Sequence, residues 1–490
     1  MIGKNAIFPV VEVTMFDIIV IGGGVIGGAV LREATKYRLK VCLIEKEADV
    51  CMGQSKANSG IVHAGFDAAE GTLKAKFNVE GNKMMYGYAK ELGVKCVQNG
   101  SLVVAFSQEE MQTLGELKAR GERNGVPDLR ILDADELRRL EPNISECACG
   151  ALYAPTGGIV CPYELTIASI GNAMDNGAQL FCDFSIKSIQ KEGDHFRIES
   201  LDGKEVLGKL IVNCAGLGAG EVARLAGDDT VHIGGRKGEY ILLDRESGDF
   251  VSHTLFFTPT KAGKGILVGR TVDGNIILGP TAEETASALT DTTAQGLQAV
   301  SDKAKEMCPN VPLYNAITSF AGIRAYNDRH DFIIEESSKV SGLIHCAGIE
   351  SPGLTSAPAI GKYVIETLVK KHLPLEKNPD FNGKRQSDNF FKELSLEEKN
   401  ALIAKEPAYG KIVCRCEQVT EGEILHAIRQ NPPARNIDAV KRRTRSGMGR
   451  CQGGFCQPQI AELIASELNI PLEEVTKSGN GSNLLTEACK

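Results

Sequence analysis

Four cysteines near the C-terminal end have the spacing of a metal centre: Cys414-x-Cys416, then thirty-four residues, then Cys451-x4-Cys456. Four thiolates suit either tetrahedral zinc or a [2Fe–2S] cluster. The spacing lacks the doubled C-x-x-C common in structural zinc sites. A second chemical signal lies at the opposite end of the chain. Gly22, Gly24 and Gly27 form G-x-G-x-x-G directly after the apolar run Phe16 to Ile21. In such a pattern the first glycine permits a tight turn, the second lets backbone approach a pyrophosphate, and the third allows close helix–strand packing. The phosphates then sit at the positive end of the following helix. Glu45, with Lys46 beside it, ends the next apolar run and is placed to accept hydrogen bonds from ribose hydroxyls. Together these features predict a bound dinucleotide.

These residues need elements to hold them. Phe16 to Ile21 and Val41 to Ile44 read as short buried parallel strands flanking a helix. Leu210 to Gly227 reads as a third buried strand that ends at Ala215-Gly216 and leads into a helix. Between residues 236 and 284 apolar residues alternate around a turn at Asp273-Gly274-Asn275, which predicts antiparallel strands of a second sheet. Gly353-Leu354-Thr355 opens another helix, whose first amides can stabilise negative charge. After Lys371 the apolar periodicity stops, and the Pro-, Asn- and charge-rich stretch that follows reads as a linker, with a short helix near residues 394–407 wrapping onto the main body. Thr420 and Glu423 fit a capping box, so a helix should follow the first cysteine pair, and another should follow Cys456-Gln457-Pro458. Four thiolates would thus stand beside helix starts.

Composition narrows the class. At 490 residues the chain has room for several domains, and its 42% apolar and 24% charged content is that of a soluble globular protein. A net charge of −8 gives no electrostatic reason to expect nucleic acid binding. The run from Lys441 to Arg445 is the local exception, and it reads either as a solvated face or as basic residues beside the cysteines. No uninterrupted apolar stretch reaches the ~18 residues of a spanning helix. The leader, residues 1–14, lacks the features of a secretory signal and reads as an extension before an alternative start at Met15. Fifteen cysteines without an export signal point to a reducing, cytoplasmic location, with the eleven outside the C-terminal set serving packing.

The segment from Met52 to Gly81, "MGQSKANSGIVHAGFDAAEGTLKAKFNVEG", resembles flavoproteins of the D-amino-acid oxidase superfamily. It is most similar to glycerol-3-phosphate and L-2-hydroxyglutarate dehydrogenases, and the resemblance continues to about residue 375. It implies FAD and makes Ser55, Asn58, Ser59, Gly216, Gly353, Leu354 and Thr355 flavin contacts. It implies that His63 is the base, that Arg324 binds the anionic group of the substrate, and that Tyr240, with Lys237, lines the opposite wall. Where aerobic glycerol-3-phosphate enzymes carry H-G-G-L-R-Y, this chain has H-A-G-F-D-A, a local sequence nearer the 2-hydroxyglutarate branch. The segments around Cys414–Cys416 and Cys451–Cys456 resemble the bacterioferritin-associated-ferredoxin type of [2Fe–2S] domain, which implies that these four cysteines hold the cluster.

The expected architecture is therefore α/β (α+β), in three parts. An FAD-dependent oxidoreductase module covers 15–375. Its Rossmann-like flavin part (about 15–100, 155–225 and 335–375) is interleaved with an antiparallel substrate part (about 101–154 and 226–334). A linker covers 376–411, and a small helical [2Fe–2S] domain covers 412–490. The expected reaction is oxidation of sn-glycerol 3-phosphate to dihydroxyacetone phosphate. Electrons would pass from FAD through the cluster to a partner, a second flavoprotein or a quinone-linked membrane subunit. No second nucleotide fingerprint is present to reduce NAD directly. The alternatives are oxidation of L-2-hydroxyglutarate, or a subunit that relays electrons without turning over substrate.

Overall fold

The structure, a computed structural model, describes residues 14–259, 265–388 and 390–487. The expected leader extension (all but Thr14) and one of the packing cysteines, Cys489, lie outside the described residues. Within them the fold is the α/β (α+β) arrangement expected. An eight-stranded sheet has the strand Met15–Ile21 at its middle, paired in parallel with Val41–Ile44 on one side and Glu205–Asn213 on the other. Leu343–Ala347 extends it in parallel beyond Glu205–Asn213, and two hairpin strands, Ile186–Glu192 and His195–Ser200, close that edge with antiparallel pairing. The central strands are continuous apolar runs because both of their faces are covered. The helix Val25–Thr35 is buried along its whole length, packed between the helices Pro162–Asp175 and Gly353–Tyr363. Its glycines and alanines are what let the three helices approach so closely.

A nine-stranded sheet, mostly antiparallel, is built from residues 101–154 and 234–326, so the chain crosses between the two sheets repeatedly. Its two longest strands, Gly234–Leu243 and Ala316–Tyr326, pair in register Tyr240↔Phe320, Gly238↔Gly322 and Arg236↔Arg324. Directly opposed residues share a face, so Tyr240, Arg236, Phe320, Arg324 and Tyr326 all project to one side. That side meets the flavin part of the module: a Cβ on Gly322 would stand 2.0 Å from the Ala57 carbonyl oxygen. A side chain at 322 would separate the sheet from the loop that carries Ser55, Asn58 and Ser59.

The segment expected to link the domains runs along the main body. Lys377 bridges to Tyr37, and the buried Arg32 donates to the Gly383 carbonyl while stacking on Phe381 and Tyr88. Beyond it, Leu396–Lys405 is a helix with a Ser395/Glu398 capping box. The C-terminal region has a core of its own, including Val419, Ile424, Ile428, Ile460 and Ile464. The helix Glu421–Arg429 starts at a Thr420/Glu423 capping box, and Gln457–Leu468 starts directly after Cys456. No helix among the described residues is long and apolar enough to cross a membrane.

Candidate functional site

The glycine turn is built to receive a phosphate. Gly22 has φ +106°, and a Cβ on Gly27 would stand 2.0 Å from the Gly22 carbonyl oxygen, so protein packing alone demands both residues. Gly24 differs: its φ is −84°, and a Cβ there would meet only Ser55 Oγ, at 3.2 Å. The fold has no need of a bare backbone at 24, whereas a pyrophosphate does. Ser55 Oγ accepts from the Val25 amide at 2.9 Å, which sets the Ser55 hydroxyl at the N-terminus of the same helix. Glu45 accepts from the amides of Gly23 (2.6 Å) and Glu47 (3.0 Å), and burial pushes its carboxyl up against those bonds. The Gly216 turn follows residues that close on Gly22, where a Cβ would meet the Cys214 carbonyl at 2.5 Å. Lys46 stands apart, 73% exposed and 3.5 Å from Glu47. The fold, the turn and the carboxylate fit FAD.

Asn58 organises the loop that follows, donating to the Gln54 and Ser55 carbonyls and accepting from the Gly60 amide. Ser59 hydrogen-bonds the buried Tyr240, whose ring stacks on Phe320 at 4.8 Å. Burial pushes the Tyr240 hydroxyl up, opposed by the charge of Arg324 and by Ser59. Arg324 donates through Nη2 to the Thr281 carbonyl at 2.7 Å, while its Nε is buried without a protein partner. Ser59, Tyr240 and Arg324 thus form one group. His63 forms a second with Thr355: the Thr355 hydroxyl accepts from the His63 amide at 2.9 Å and donates to the Ile61 carbonyl. The His63 ring stacks on Phe256 at 5.9 Å, with Nε2 3.2 Å from Ser351 Oγ. Thr355 and Leu354 lie in the first turn of the helix that Gly353 opens.

Lys237 needs correction. It lies on the face of its strand opposite Tyr240, where it pairs with the fully buried Glu239 at 3.1 Å and donates to the Asp291 carbonyl. Single-residue alternation along a strand separates side chains that adjoin in sequence. The face shared with Arg324 carries instead Arg236, stacked on Tyr326 at 4.8 Å and 3.9 Å from Glu350. The strand periodicity with the Arg236↔Arg324 register would have found it, but that register is not visible in sequence.

The four cysteines fall into two pairs. Cys416 and Cys451 have sulfurs 3.6 Å apart, and the free thiols of Cys414 and Cys456 are hydrogen-bonded to each other. Tetrahedral coordination with metal–sulfur bonds of about 2.3 Å sets two ligand sulfurs about 3.7 Å apart. Two separate pairs suit two irons better than one zinc. The inner pair, Cys414 and Cys456, is 1% exposed, while Cys416 and Cys451 reach toward the surface. The Cys456 thiol and, against burial, the amides of Gly447 and Glu417 lower the Cys414 thiol to about 6. Burial pushes Cys451 up but is outweighed by the Phe455 amide, the Cys416 thiol and the amides of Gly453 and Gly454. Backbone donors aimed at sulfur suit an anionic cluster.

The basic run is neither a solvated face nor a free cluster of positive charge. Arg443 is fully buried, forked onto both oxygens of Asp49 at 2.9 and 3.0 Å, and Arg442 donates to the same carboxylate. Burial opposes the charge of Asp49, and the two guanidinium groups still hold it below the usual carboxylate range. Arg445 donates to Glu417, Asp273, Tyr163 and Asn275, and Arg450 pairs with Asp244 and Glu246. Arg245 donates to the Cys416 carbonyl at 2.6 Å, and the Tyr163 hydroxyl lies 3.5 Å from Met448 Sδ. The arginines lock the cysteine domain against both sheets.

Comparison with known proteins agrees with this geometry. The family described as FAD dependent oxidoreductase matches residues 17–367, and the BFD-like [2Fe–2S] binding domain matches residues 412–466. A glycerol 3-phosphate dehydrogenase of Caloramator mitchellensis is 47% identical across 97% of this chain and 99% of its own. The FAD-bound L-alpha-glycerophosphate oxidase of Mycoplasma pneumoniae superposes with a TM-score of 0.73 at 30% identity, over 76% of this chain and 99% of its own. The L-2-hydroxyglutarate dehydrogenase of Escherichia coli is 29% identical over 55% of this chain and 64% of its own.

Proposed function

The chain belongs to the FAD dependent oxidoreductase family, with a BFD-like [2Fe–2S] domain appended, and from that premise we propose that it oxidises sn-glycerol 3-phosphate to dihydroxyacetone phosphate. The observation that carries the reading is Arg324. Its Nε is buried without a partner beside Tyr240 and Ser59, and a guanidinium in that state is completed by an anionic group of the substrate. A phosphate fits this role, and the 47% identity to a glycerol 3-phosphate dehydrogenase along nearly the whole chain favours it over the carboxylates of 2-hydroxyglutarate, whose dehydrogenases are 28% to 30% identical.

When bound, FAD supplies a two-electron acceptor for the hydrogen on the carbinol carbon. The chain supplies the rest. Arg324 holds the phosphate and thereby fixes the carbinol against the flavin face, a positioning effect that rigid strands deliver better than loops. His63 takes the hydroxyl proton through Nε2, with the stacked Phe256 and the Ser351 hydroxyl setting the ring plane. Thr355 ties the His63 backbone to the first turn of the helix Gly353–Tyr363, the turn that would hold the flavin, so base and cofactor would share one rigid support. Cys414, Cys416, Cys451 and Cys456 would hold a [2Fe–2S] centre, which would supply a one-electron carrier for the outgoing electrons.

Anaerobic titration tests this reading. sn-Glycerol 3-phosphate should bleach the flavin absorbance of the purified protein, and L-2-hydroxyglutarate at the same concentration should not. Bleaching by the hydroxy acid alone would move the chain to the other branch, and bleaching by neither would make it a relay subunit.

A further inference from the structure

An electron outlet needs a place for its acceptor, and the arginines beside the cysteines are not that place. Arg442, Arg443 and Arg445 are buried in ion pairs within the chain, and Arg450 is held by Asp244 and Glu246. A different surface surrounds the cluster loop. Between Cys451 and Cys456 the side chain of Phe455 is 84% exposed, although its own amide donates to the Cys451 sulfur. A groove of about 320 Å³ opens beside it, lined by Gly454, Pro458, Ala461, Leu472, Leu484 and Leu485. Glu462 lines this groove, and the exposed carboxylates Glu474 and Glu487 lie two residues along the chain from its lining residues Leu472 and Leu485, so the region is acidic; none of the three is ion-paired among the described residues. The one exposed cation on the cysteine loops without a carboxylate partner is Arg415, on the other loop.

An exposed aromatic next to an apolar groove, in an acidic region, is the anatomy of a protein-docking patch. Its charge selects the opposite sign in the partner. We propose that Phe455, the groove and these carboxylates are the docking site of a one-electron acceptor protein that presents an apolar contact ringed by lysine and arginine. The inference rests on the reading of the cysteine domain as the electron outlet. Each transfer moves one electron from the reduced cluster, by way of the loop whose Phe455 amide touches Cys451, to the acceptor's oxidised centre, with no proton or bond exchanged.

The test uses the full-length holoprotein and ferric cytochrome c, a basic one-electron protein, as the probe. Calorimetry at low ionic strength should detect binding of cytochrome c to the oxidised protein, and salt should weaken it steeply. Phe455→Ser should weaken binding about tenfold or more, and the double charge reversal Glu462→Lys with Glu474→Lys should abolish it. In stopped-flow, dithionite-reduced protein should pass electrons to cytochrome c at rates that fall in the same order across the variants. Oxidation of the Phe455→Ser protein by ferricyanide, which needs no docking patch, should stay unchanged. Absence of binding at low salt, equal affinities across the variants, or equal affinity for an acidic flavodoxin would each overturn the proposal. So would a change in oligomeric state of the Phe455→Ser protein by sedimentation, which would give this face to a second copy of the chain. Because dithionite loads the electrons, failure of glycerol 3-phosphate to bleach the flavin would refute the substrate while leaving this result standing.

Discussion

Asp49→Asn should loosen the cysteine domain from the body of the protein. Asp49 is 4% exposed and neutralises two guanidinium groups that are 7% and 0% exposed. The amide keeps the shape of the side chain but leaves both charges without a counter-ion. Removing one partner of a buried pair costs about 3–5 kcal/mol, roughly a hundred- to several-thousand-fold shift in any equilibrium that opens the contact. The Arg445 network, the Arg450 pairs and the Tyr163–Met448 contact remain, so the domain should stay docked on average and open more often. Amide hydrogen exchange reads this directly. Amides of the helix Ile437–Thr444, which carries both arginines, should exchange faster by a large fraction of that factor, and by more than those of Ile460 and Ile464, which share its core but lie on a helix that makes no bond to Asp49. Unchanged exchange in the arginine helix would refute the claim that this pair holds the two parts together. The pH dependence follows from the same carboxylate. The folded state depresses its pKa, so the stabilisation is complete above the ordinary value of about 3.9 and is lost as pH falls from there through the folded value. Docking should therefore be constant through the neutral range and fail only in acid below about pH 4.

Three further substitutions test the assigned roles. Arg324→Ala should lower kcat/KM about ten- to a hundredfold, the loss of a charge-assisted contact worth roughly 1.5–3 kcal/mol, with FAD content unchanged; a normal value would place the anion elsewhere. His63→Asn should slow anaerobic flavin reduction by about 10²–10⁴-fold, with partial recovery at high pH, where hydroxide replaces the base; normal rates would leave His63 a packing residue. Cys451→Ser should remove the iron–sulfur signal in electron paramagnetic resonance while glycerol 3-phosphate still reduces FAD, and delivery of electrons to a protein acceptor should stop. Full delivery with the cluster shown to be absent would refute the outlet.

What could be read in the sequence was what is local. The glycine turn, the carboxylate that ends the second strand, the capping box at Thr420 and the cysteine spacing each occupy a few residues whose chemistry depends on their near neighbours, and the structure carries each element where its pattern lies. The fate of the basic run was not legible. Four of its residues, Lys441 to Thr444, form the last turn of a helix and point around its whole circumference, so some must face inward whatever their charge. Which ones do, and whether they can, depends on Asp49, Asp273 and Glu417, and Asp49 lies 393 residues from Arg442 in the chain. Lys237 failed for a related reason: adjacency in a strand places neighbours on opposite faces.

The buried arginines also change how electron flow must be understood. Asp49 lies four residues past Glu45, on the stretch where the Cys51 amide bonds the Gly23 carbonyl of the phosphate turn. The loop that shapes the flavin site is therefore the same loop that the cysteine domain grips. A domain anchored through fully buried ion pairs is poorly suited to swing between a donor and an acceptor, because each excursion would strand two guanidinium charges. On the proposed route, transfer from flavin to cluster would then cross a fixed gap, and the acceptor would be the member of the relay that comes and goes; the Tyr163–Met448 contact is one of those that hold the cysteine domain in place. That division of labour is consistent with a chain that buries Arg442, Arg443 and Arg445 against its own body and leaves Phe455 exposed.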